Sequence, residues 1–386
     1  MDAKRIILNE TSYFGFNSRT VLKDEIKKRN FSKVLLVSDE TLMEVGITAK
    51  IENVLKHGDI PYELFVDIKP NPSVENVQSG VQKCLESGAD VIVAVGGGSV
   101  IDTAKAIGIV VKNPEFSDVV SLNGFAETKN KSLPIIALPT TAGTAAEVTI
   151  NYVITDSDSQ QKMVCIDPND IPILAIIDSE LMAEMPKSVA AATGMDALTH
   201  AIEGYITLGA WSMSDMFHAE AIKMIVENIE LAVNEKNMDA INNMGVAQYV
   251  AGMGFSNVGL GIVHSLAHQL GAVYDTPHGV ANAMLLPYVL RFNGDVCIDK
   301  YKNIGTTLGY KMDNLSDSVV IDTIVNIVFE LNDKLGIPRT IKDTGIKESD
   351  FDMLAKKALF DPCTGGNPKT VTKEDLYDLY KQAYLG

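Results

Sequence analysis

The sequence predicts two domains: an α/β N-terminal domain on a parallel sheet, residues 1–186, and an all-α C-terminal domain, residues 187–386. Three observations predict this. In the first third, short apolar runs alternate with helical segments, the pattern of strands joined by right-handed crossovers. From Leu133 the apolar runs become strands separated by turns. After Pro186 almost only helical periodicity remains. A chain of 386 residues is also long for one hydrophobic core.

Each element has its own signal. RIILNE and TSYFGF alternate apolar and polar residues, which suggests a strand pair or an exposed arm over residues 4–15, followed by a helix over 21–28. KVLLVSD is an apolar run ending in Asp39, as expected for a parallel strand buried on both faces. A helix over 47–56 leads to the strand YELFVD. SVENVQSGVQKCLESG reads as a helix capped by Ser73. VIVAV is another buried strand, running into Gly96-Gly97-Gly98-Ser99 and a helix. LPIIALPTTAG, NYVITD, KMVCID and ILAIID are the later strands. Helices are expected at 187–206, 213–233, 238–253, 262–272, 278–292, 317–335 and 373–383.

Composition narrows the class. With 46% hydrophobic and 22% charged residues the chain is an ordinary globular protein. A formal charge of −17 argues against nucleic acid or an anionic membrane as partner, since both reward a basic face. Cys84, Cys165, Cys297 and Cys363 form no CxxC pair, which points to a reduced, cytoplasmic chain without a disulfide framework. No apolar run reaches the roughly 18 residues a membrane span needs. MDAKRIILNE has no signal-peptide core.

Two features carry chemistry. The first is the strand–GGGS–helix turn. Glycines let backbone N–H groups approach a phosphate, and the helix N-terminus adds partial positive charge. The same turn also serves as a plain βα connection. In the usual dinucleotide signature an acidic residue follows the glycines by about 20 positions. Here Asp39 precedes Gly96–Gly98 by 57 to 59 positions. If both line one cofactor cleft, Asp39 accepts hydrogen bonds from an adenosine ribose and repels a 2′-phosphate, favouring NAD over NADP. Taken alone, Asp39 reads as the N-cap of a helix over ETLMEVG. PTTAGTAAEVT (139–149), rich in small and hydroxyl residues, suits a diphosphate or nicotinamide but equally an irregular turn.

The second feature is a histidine constellation. Asp196 and His200 are four apart in GMDALTHAIEGYI and share one helix face. HSLAHQLGAVYDTPHG supplies His264, His268 and His278. Four of the six histidines thus fall in two short segments. Carboxylate and imidazole suit a divalent first-row metal, and five candidates exceed the three or four ligands needed. Spacing leaves open which downstream histidine is not a ligand. His218, alone on an amphipathic helix, reads as structural, and His57 as exposed near a turn. A divalent ion with an open position polarises a carbonyl or lowers the pKa of an alcohol. Joined to a nicotinamide cofactor, that means hydride transfer at an alcohol or aldehyde carbon. A site supplied by both halves belongs in the cleft between them.

GGGSxxDxAK (96–105), PTTAGTAAEVT, ATGMDALTHAIEGY and HSLAHQLGAVYDTPHG together resemble the iron-containing (group III) alcohol dehydrogenases, over the whole length of the chain. GYITLGAW (204–211), YVAGMGFSNVGLGIVHSLAH (249–268) and DPCTGGNPK (361–369) are most similar to family members that interconvert a short hydroxyaldehyde and its 1,2-diol. The resemblance implies a dehydroquinate synthase-like fold with a dinucleotide-binding parallel sheet. It implies that Asp196, His200, His264 and His278 bind Fe(II), with Zn a possible substitute, and that His268 is a proton carrier beside the nicotinamide. Asp39 becomes an NAD ribose contact rather than only a cap. Gly97, Gly98 and Ser99 hold the pyrophosphate, and Asn71, Asp102, Thr140, Thr141, Thr144, Val153 and Lys162 complete the cofactor site. Asn151, Phe255 and Cys363 border a small substrate pocket, and the N-terminal strands pair across a homodimer. Two other classes are weighed against this reading. A cyclase-lyase of the dehydroquinate synthase type needs a basic pocket for a phosphorylated acid, and few Lys or Arg accompany Phe255. A catalytically silent NAD-binding protein fits poorly with a complete set of ligands.

Overall fold

The computed structural model describes residues 3–159 and 161–386, so the first two residues of MDAKRIILNE lie outside the described residues. The chain divides into two compact units, residues 1–185 and 186–386.

In the first unit the strands are β1 (Thr11–Phe14), β2 (Val34–Val37), β3 (Tyr62–Phe65), β4 (Val91–Gly96), β5 (Gly124–Phe125), β6 (Ile135–Pro139), β7 (Asn151–Asp156), β8 (Gln161–Ile166) and β9 (Leu174–Ile177). The helices are α1 (Leu22–Lys28), α2 (Glu40–Glu44), α3 (Ile47–His57), α4 (Val74–Ser87), α5 (Gly98–Lys112) and α6 (Ser179–Met182). Six strands form one parallel sheet in the order β1-β9-β6-β4-β2-β3. Successive residues of β2 point to opposite faces. Val34 and Leu36 pack with Leu22, Ile26 and Ile51, while Leu35 and Val37 pack with Val77 and Ile107. Burial on both faces is why these strands read as continuous apolar runs. The second sheet, β5-β8-β7, is small, with β7 and β8 antiparallel.

One expectation is corrected at the N-terminus. RIILNE forms no strand, and only Thr11–Phe14 does, paired in parallel with β9 at the sheet edge. A parallel partner was not legible because it lies more than 160 residues further along the chain.

The strand order reverses between β2 and β4: the chain passes from β2 outward to β3, then returns to lay β4 on the other side of β2. Beyond the carboxyl ends of two such strands lies the crevice where parallel α/β sheets bind ligands. Asp39 follows β2 and the GGGS turn follows β4. The two ends are tied by Ser38 Oγ, which donates to the Val95 carbonyl at 2.9 Å.

The second unit is helical among the described residues. It comprises α7 (Lys187–Ile206), α8 (Ser212–Asn234), α9 (Met238–Val258), α10 (Ile262–Tyr274), α11 (His278–Asn293), α12 (Ile298–Thr307), α13 (Asp317–Leu335), α14 (Phe351–Leu359) and α15 (Lys373–Leu385). α7 is buried on nearly every side from Ala191 onward, so it has no polar face. His218 of α8 is fully buried in a slot left by Gly204 of α7 and Gly254 of α9, where an added Cβ would lie 2.4 and 2.3 Å from its Nε2. Burial holds its pKa down at about 3, so it is a neutral packing group. The periodicity reading did not include α12, which buries only Tyr301, Ile304 and Gly305, or the short α14.

Candidate active site

In the helical unit, three helices bring four predicted residues together. Asp196 and His200 come from α7, His264 from α10 and His278 from the first position of α11. One ligand atom from each lies within 4.8 Å of the others. His278 Nε2 stands 3.6 Å and His264 Nε2 4.0 Å from Asp196 Oδ1. Asp196, His200 and His264 are buried, and His278 is half-buried.

The chemistry of the set fits a divalent cation. Donors about 2.1 Å from a tetrahedral ion lie roughly 3.4 Å apart, close to the separations seen. The lone pairs also converge. The buried Asn282 amide Nδ2 donates to Asp196 Oδ1 at 2.7 Å and contacts His278 Nε2 at 3.1 Å and His264 Nε2 at 3.3 Å. One NH2 group thus lies against three acceptor atoms that a cation would share.

The tautomer of His264 is fixed from behind. Its Nδ1 lies 2.5 Å from Glu203 Oε2, and Glu203 also accepts the Val263 N–H at 2.7 Å. Nδ1 therefore faces a carboxylate and Nε2 faces the ligand cluster, the usual arrangement of a metal-bound imidazole. Burial raises the Glu203 pKa to about 8, against the opposing N–H bonds of Val263, His264 and Gly261. Burial, and then the neighbouring rings of His200, His278 and His268, push the His264 pKa far down and keep it neutral.

His268, one turn after His264, stands beside the cluster. Its ring stacks on His278 with centroids 5.4 Å apart, and its Nδ1 lies 2.9 Å from Asp361 Oδ2. Cys363 joins His268 and Asp361 in a second group of close donors. Phe255 stacks on His200 at 4.3 Å and forms an apolar wall.

In the α/β unit the predicted cofactor residues are linked in three sets. Thr140 N–H donates to the Gly96 carbonyl at 3.0 Å, and a Cβ on Gly97 or Gly98 would lie 3.2 Å from Thr141 Cγ2 or 2.9 Å from Thr144 Cγ2. The two glycines therefore admit the PTTAGT loop. Ser99 follows them in the first turn of α5. Asp102 Oδ2 accepts the Val153 N–H at 3.0 Å. Lys162 Nζ donates to Asn71 Oδ1 at 2.9 Å. Asp39 caps α2 by accepting the Leu42 N–H at 2.8 Å, so its capping role is real. Asn151 belongs to this unit, whereas Phe255 and Cys363 belong to the helical one.

The sequence reading missed Glu203, Asn282, Asp361 and Lys105. Glu203 had a signal, since Asp196, His200 and Glu203 recur at helical spacing; Asn282 is likewise four after His278. Asp361 opens the DPCTGGNPK segment, but nothing there ties it to His268, 93 residues away. Lys105, the lysine of the GGGS motif, is fully buried and donates to the Thr149 carbonyl at 2.6 Å and the Asn151 carbonyl at 2.9 Å, pinning the start of β7.

Residues 9–179 match the iron-containing alcohol dehydrogenase family, and residues 190–384 match the C-terminal domain of the Fe-containing alcohol dehydrogenases. The chain belongs to this family. It is 50% identical to the lactaldehyde reductase of Escherichia coli K12 over 382 residues, covering 99% of this chain and 100% of that one. The crystal structure of a 1,3-propanediol oxidoreductase superposes with a TM-score of 0.96 at 36% identity, covering 99% and 100% of the two chains. A sulfoacetaldehyde reductase from Bifidobacterium kashiwanohense, in complex with NAD+, superposes at 0.89 with 27% identity and 99% of both chains covered. These neighbours share the dehydroquinate synthase-like fold.

Proposed function

We propose that the chain is an NAD-dependent, iron(II)-dependent oxidoreductase that interconverts lactaldehyde, or a similarly short aldehyde, and 1,2-propanediol. The observation that carries this reading is the convergence of Asp196, His200, His264 and His278 in a chain half identical, end to end, to lactaldehyde reductase. Those four residues would hold Fe(II), and zinc suits the same donors. When bound, the ion supplies Lewis acidity toward a carbonyl or alcohol oxygen, and NADH supplies the hydride.

The chain's own groups do the rest. Asp39 keeps one carboxylate oxygen on its helix cap and offers the other to a ribose hydroxyl; its charge disfavours a 2′-phosphate. Gly97, Gly98 and Ser99 present the N-terminus of α5 to a pyrophosphate. Asp102 holds the backbone at Val153, and Asn71, Thr140, Thr141, Thr144 and Lys162 line the remainder of the cofactor site. His268 gives a proton to the substrate oxygen during reduction and takes it back during oxidation. Asn151, Phe255 and Cys363 border the substrate, and the Phe255–His200 stack restricts it to a short chain. The protein acts as a cytoplasmic homodimer: its four cysteines are free thiols, and β1 forms a sheet edge to which a second copy can add.

The test is NADH oxidation by the iron-loaded protein with lactaldehyde, glycolaldehyde, butyraldehyde and 3-hydroxypropionaldehyde, with NADPH as control. Lactaldehyde should give the highest kcat/KM. Highest kcat/KM with 3-hydroxypropionaldehyde would move the protein to the propanediol dehydrogenases, and no turnover of any of the four would end the reading.

A further inference from the structure

We propose that Asp361 is a positioning residue for His268, forming a carboxylate–imidazole dyad that fixes which ring nitrogen carries the proton. This rests on the role assigned above to His268.

α10 carries two imidazoles four residues apart, and each has its Nδ1 against a carboxylate. For His264 the partner is Glu203 at 2.5 Å, and for His268 it is Asp361 at 2.9 Å. Against the upward pull of burial, His268 holds the Asp361 carboxyl below its usual range, and an ionised carboxylate only accepts, so His268 Nδ1 must donate and its Nε2 keeps the lone pair. The two Nε2 atoms then differ in use: that of His264 faces Asp196 and Asn282, whereas His268 stands outside the set of four, stacked on His278.

Asp361 is built to hold one orientation. It caps the short turn Pro362–Gly366, and its Oδ1 accepts the Cys363 N–H at 2.9 Å and lies 3.4 Å from Ser265 Oγ. Ser265 is three residues before His268 and accepts from Thr364 Oγ1 at 2.8 Å, which closes a ring of contacts between α10 and the turn. The turn is anchored in addition by Thr207 Oγ1 on the Gly366 carbonyl at 2.8 Å and by the reciprocal amide pair Asn293–Asn367 at 2.9 and 3.0 Å. The Asp361 side chain is only 7% exposed, so water cannot readily replace its bond to His268.

In the reduction direction NADH would supply the hydride to the carbonyl carbon as the carbonyl π electrons move to oxygen. The Nε2 proton of the His268 imidazolium would pass to that oxygen, leaving the neutral ring protonated at Nδ1. Asp361 stays ionised and steadies the imidazolium; solvent restores the proton.

The geometry dictates a sharp test. In Asp361→Asn the carbonyl oxygen must stay on the Cys363 N–H, so the NH2 group turns toward His268 Nδ1 and forces the proton to Nε2. Imidazole 15N NMR of the metal-free protein, with His268 assigned from His268→Gln, should show Nδ1–H in the parent and Nε2–H in the variant. In the iron-loaded protein kcat should fall about 10- to 100-fold, with iron content and the KM for NADH unchanged. Asp361→Glu, which retains the carboxylate, should keep Nδ1–H and recover most of kcat. An unshifted tautomer, or kcat within twofold of the parent while His268→Gln is impaired, overturns the dyad. Loss of iron in Asp361→Asn also overturns it, by assigning Asp361 to the fold of the metal site. If His268→Gln keeps full kcat, the proton-carrier reading itself fails, and the dyad with it.

Discussion

The two units prepare their sites by opposite means. The α/β unit does so by leaving side chains out: a Cβ on Gly97 or Gly98 would press on the Thr141 or Thr144 methyl group. The helical unit does so by putting polar side chains in. Asp196, His200, Glu203, His264 and Asn282 are buried in a core, where Glu203 holds His264 and Asn282 bridges Asp196 and His264. The difference teaches where each is fragile. A site made of backbone fails when something is added, and a site made of converging side chains fails when something is removed.

The largest effect should follow removal of a donor from the helical unit. His264→Ala takes away a ligand and leaves Glu203 buried without its imidazole. Loss of several kcal/mol of charge stabilisation corresponds to about a 10³-fold or greater fall in kcat. Iron per chain should fall with it, while NAD binding persists. His264→Ala protein that retains full iron would show that the four residues do not act as one set. A smaller loss is expected one step further out. Glu203→Gln keeps the shape but changes the partner of His264 Nδ1, and should weaken metal affinity about 10- to 100-fold. Competition with a chelating dye measures it, and an unchanged affinity would reduce Glu203 to a packing group.

The same contrast explains what the sequence disclosed. Buried parallel strands were legible because burial on both faces leaves an uninterrupted apolar run, as in Val34–Val37 and Val91–Gly96. The donor cluster was legible because histidine is scarce here and the spacing in 196–200 and 264–268 is helical. What stayed hidden has no local signature. Asp361 reaches His268 only because the Pro362–Gly366 turn packs on α10, and β1 finds its partner in β9. Lys105 sat inside a recognised motif, yet its buried bonds to Thr149 and Asn151 depend on where β7 begins. Asp39 shows that the plain reading of a residue can hold: its cap on Leu42 is present, and the ribose contact belongs to the proposed function.

In the α/β unit the comparison is sharpened by adding an atom. Gly98→Ala brings a Cβ to 2.9 Å from Thr144 Cγ2. Overpacking of this kind costs about 1–3 kcal/mol, and the NADH dissociation constant should rise about tenfold. Iron content should not change. Adding Thr144→Ser removes the clashing methyl group of the threonine, so thermal stability should recover. If Gly98 also contacts the pyrophosphate as proposed, NADH binding should stay weak, because the added methyl group remains on α5. Recovery of both together would mean that the glycine serves the loop contact alone.

A pH dependence of stability, with the least effect on activity, sets Asp102 apart from its neighbours. Burial raises its pKa from 3.8 to about 6, against the opposing pull of Lys105 and the Val153 N–H. The folded state therefore binds the Asp102 proton more tightly than the unfolded chain does. The stability this confers is fully present below pH 3.8 and is lost as pH rises through about 6. The group does not act alone: Lys105 and the buried Asp170 face it, and the charge of Lys105 limits how far it rises. Asp102→Asn can still accept the Val153 N–H and no longer titrates. Its urea midpoint relative to the parent should therefore move upward between pH 4 and 7, while Asp170 and Lys105 contribute to both proteins. A difference that stays constant across that range would mean that Asp102 remains ionised throughout, held by Lys105 as a buried ion pair rather than by the backbone of β7.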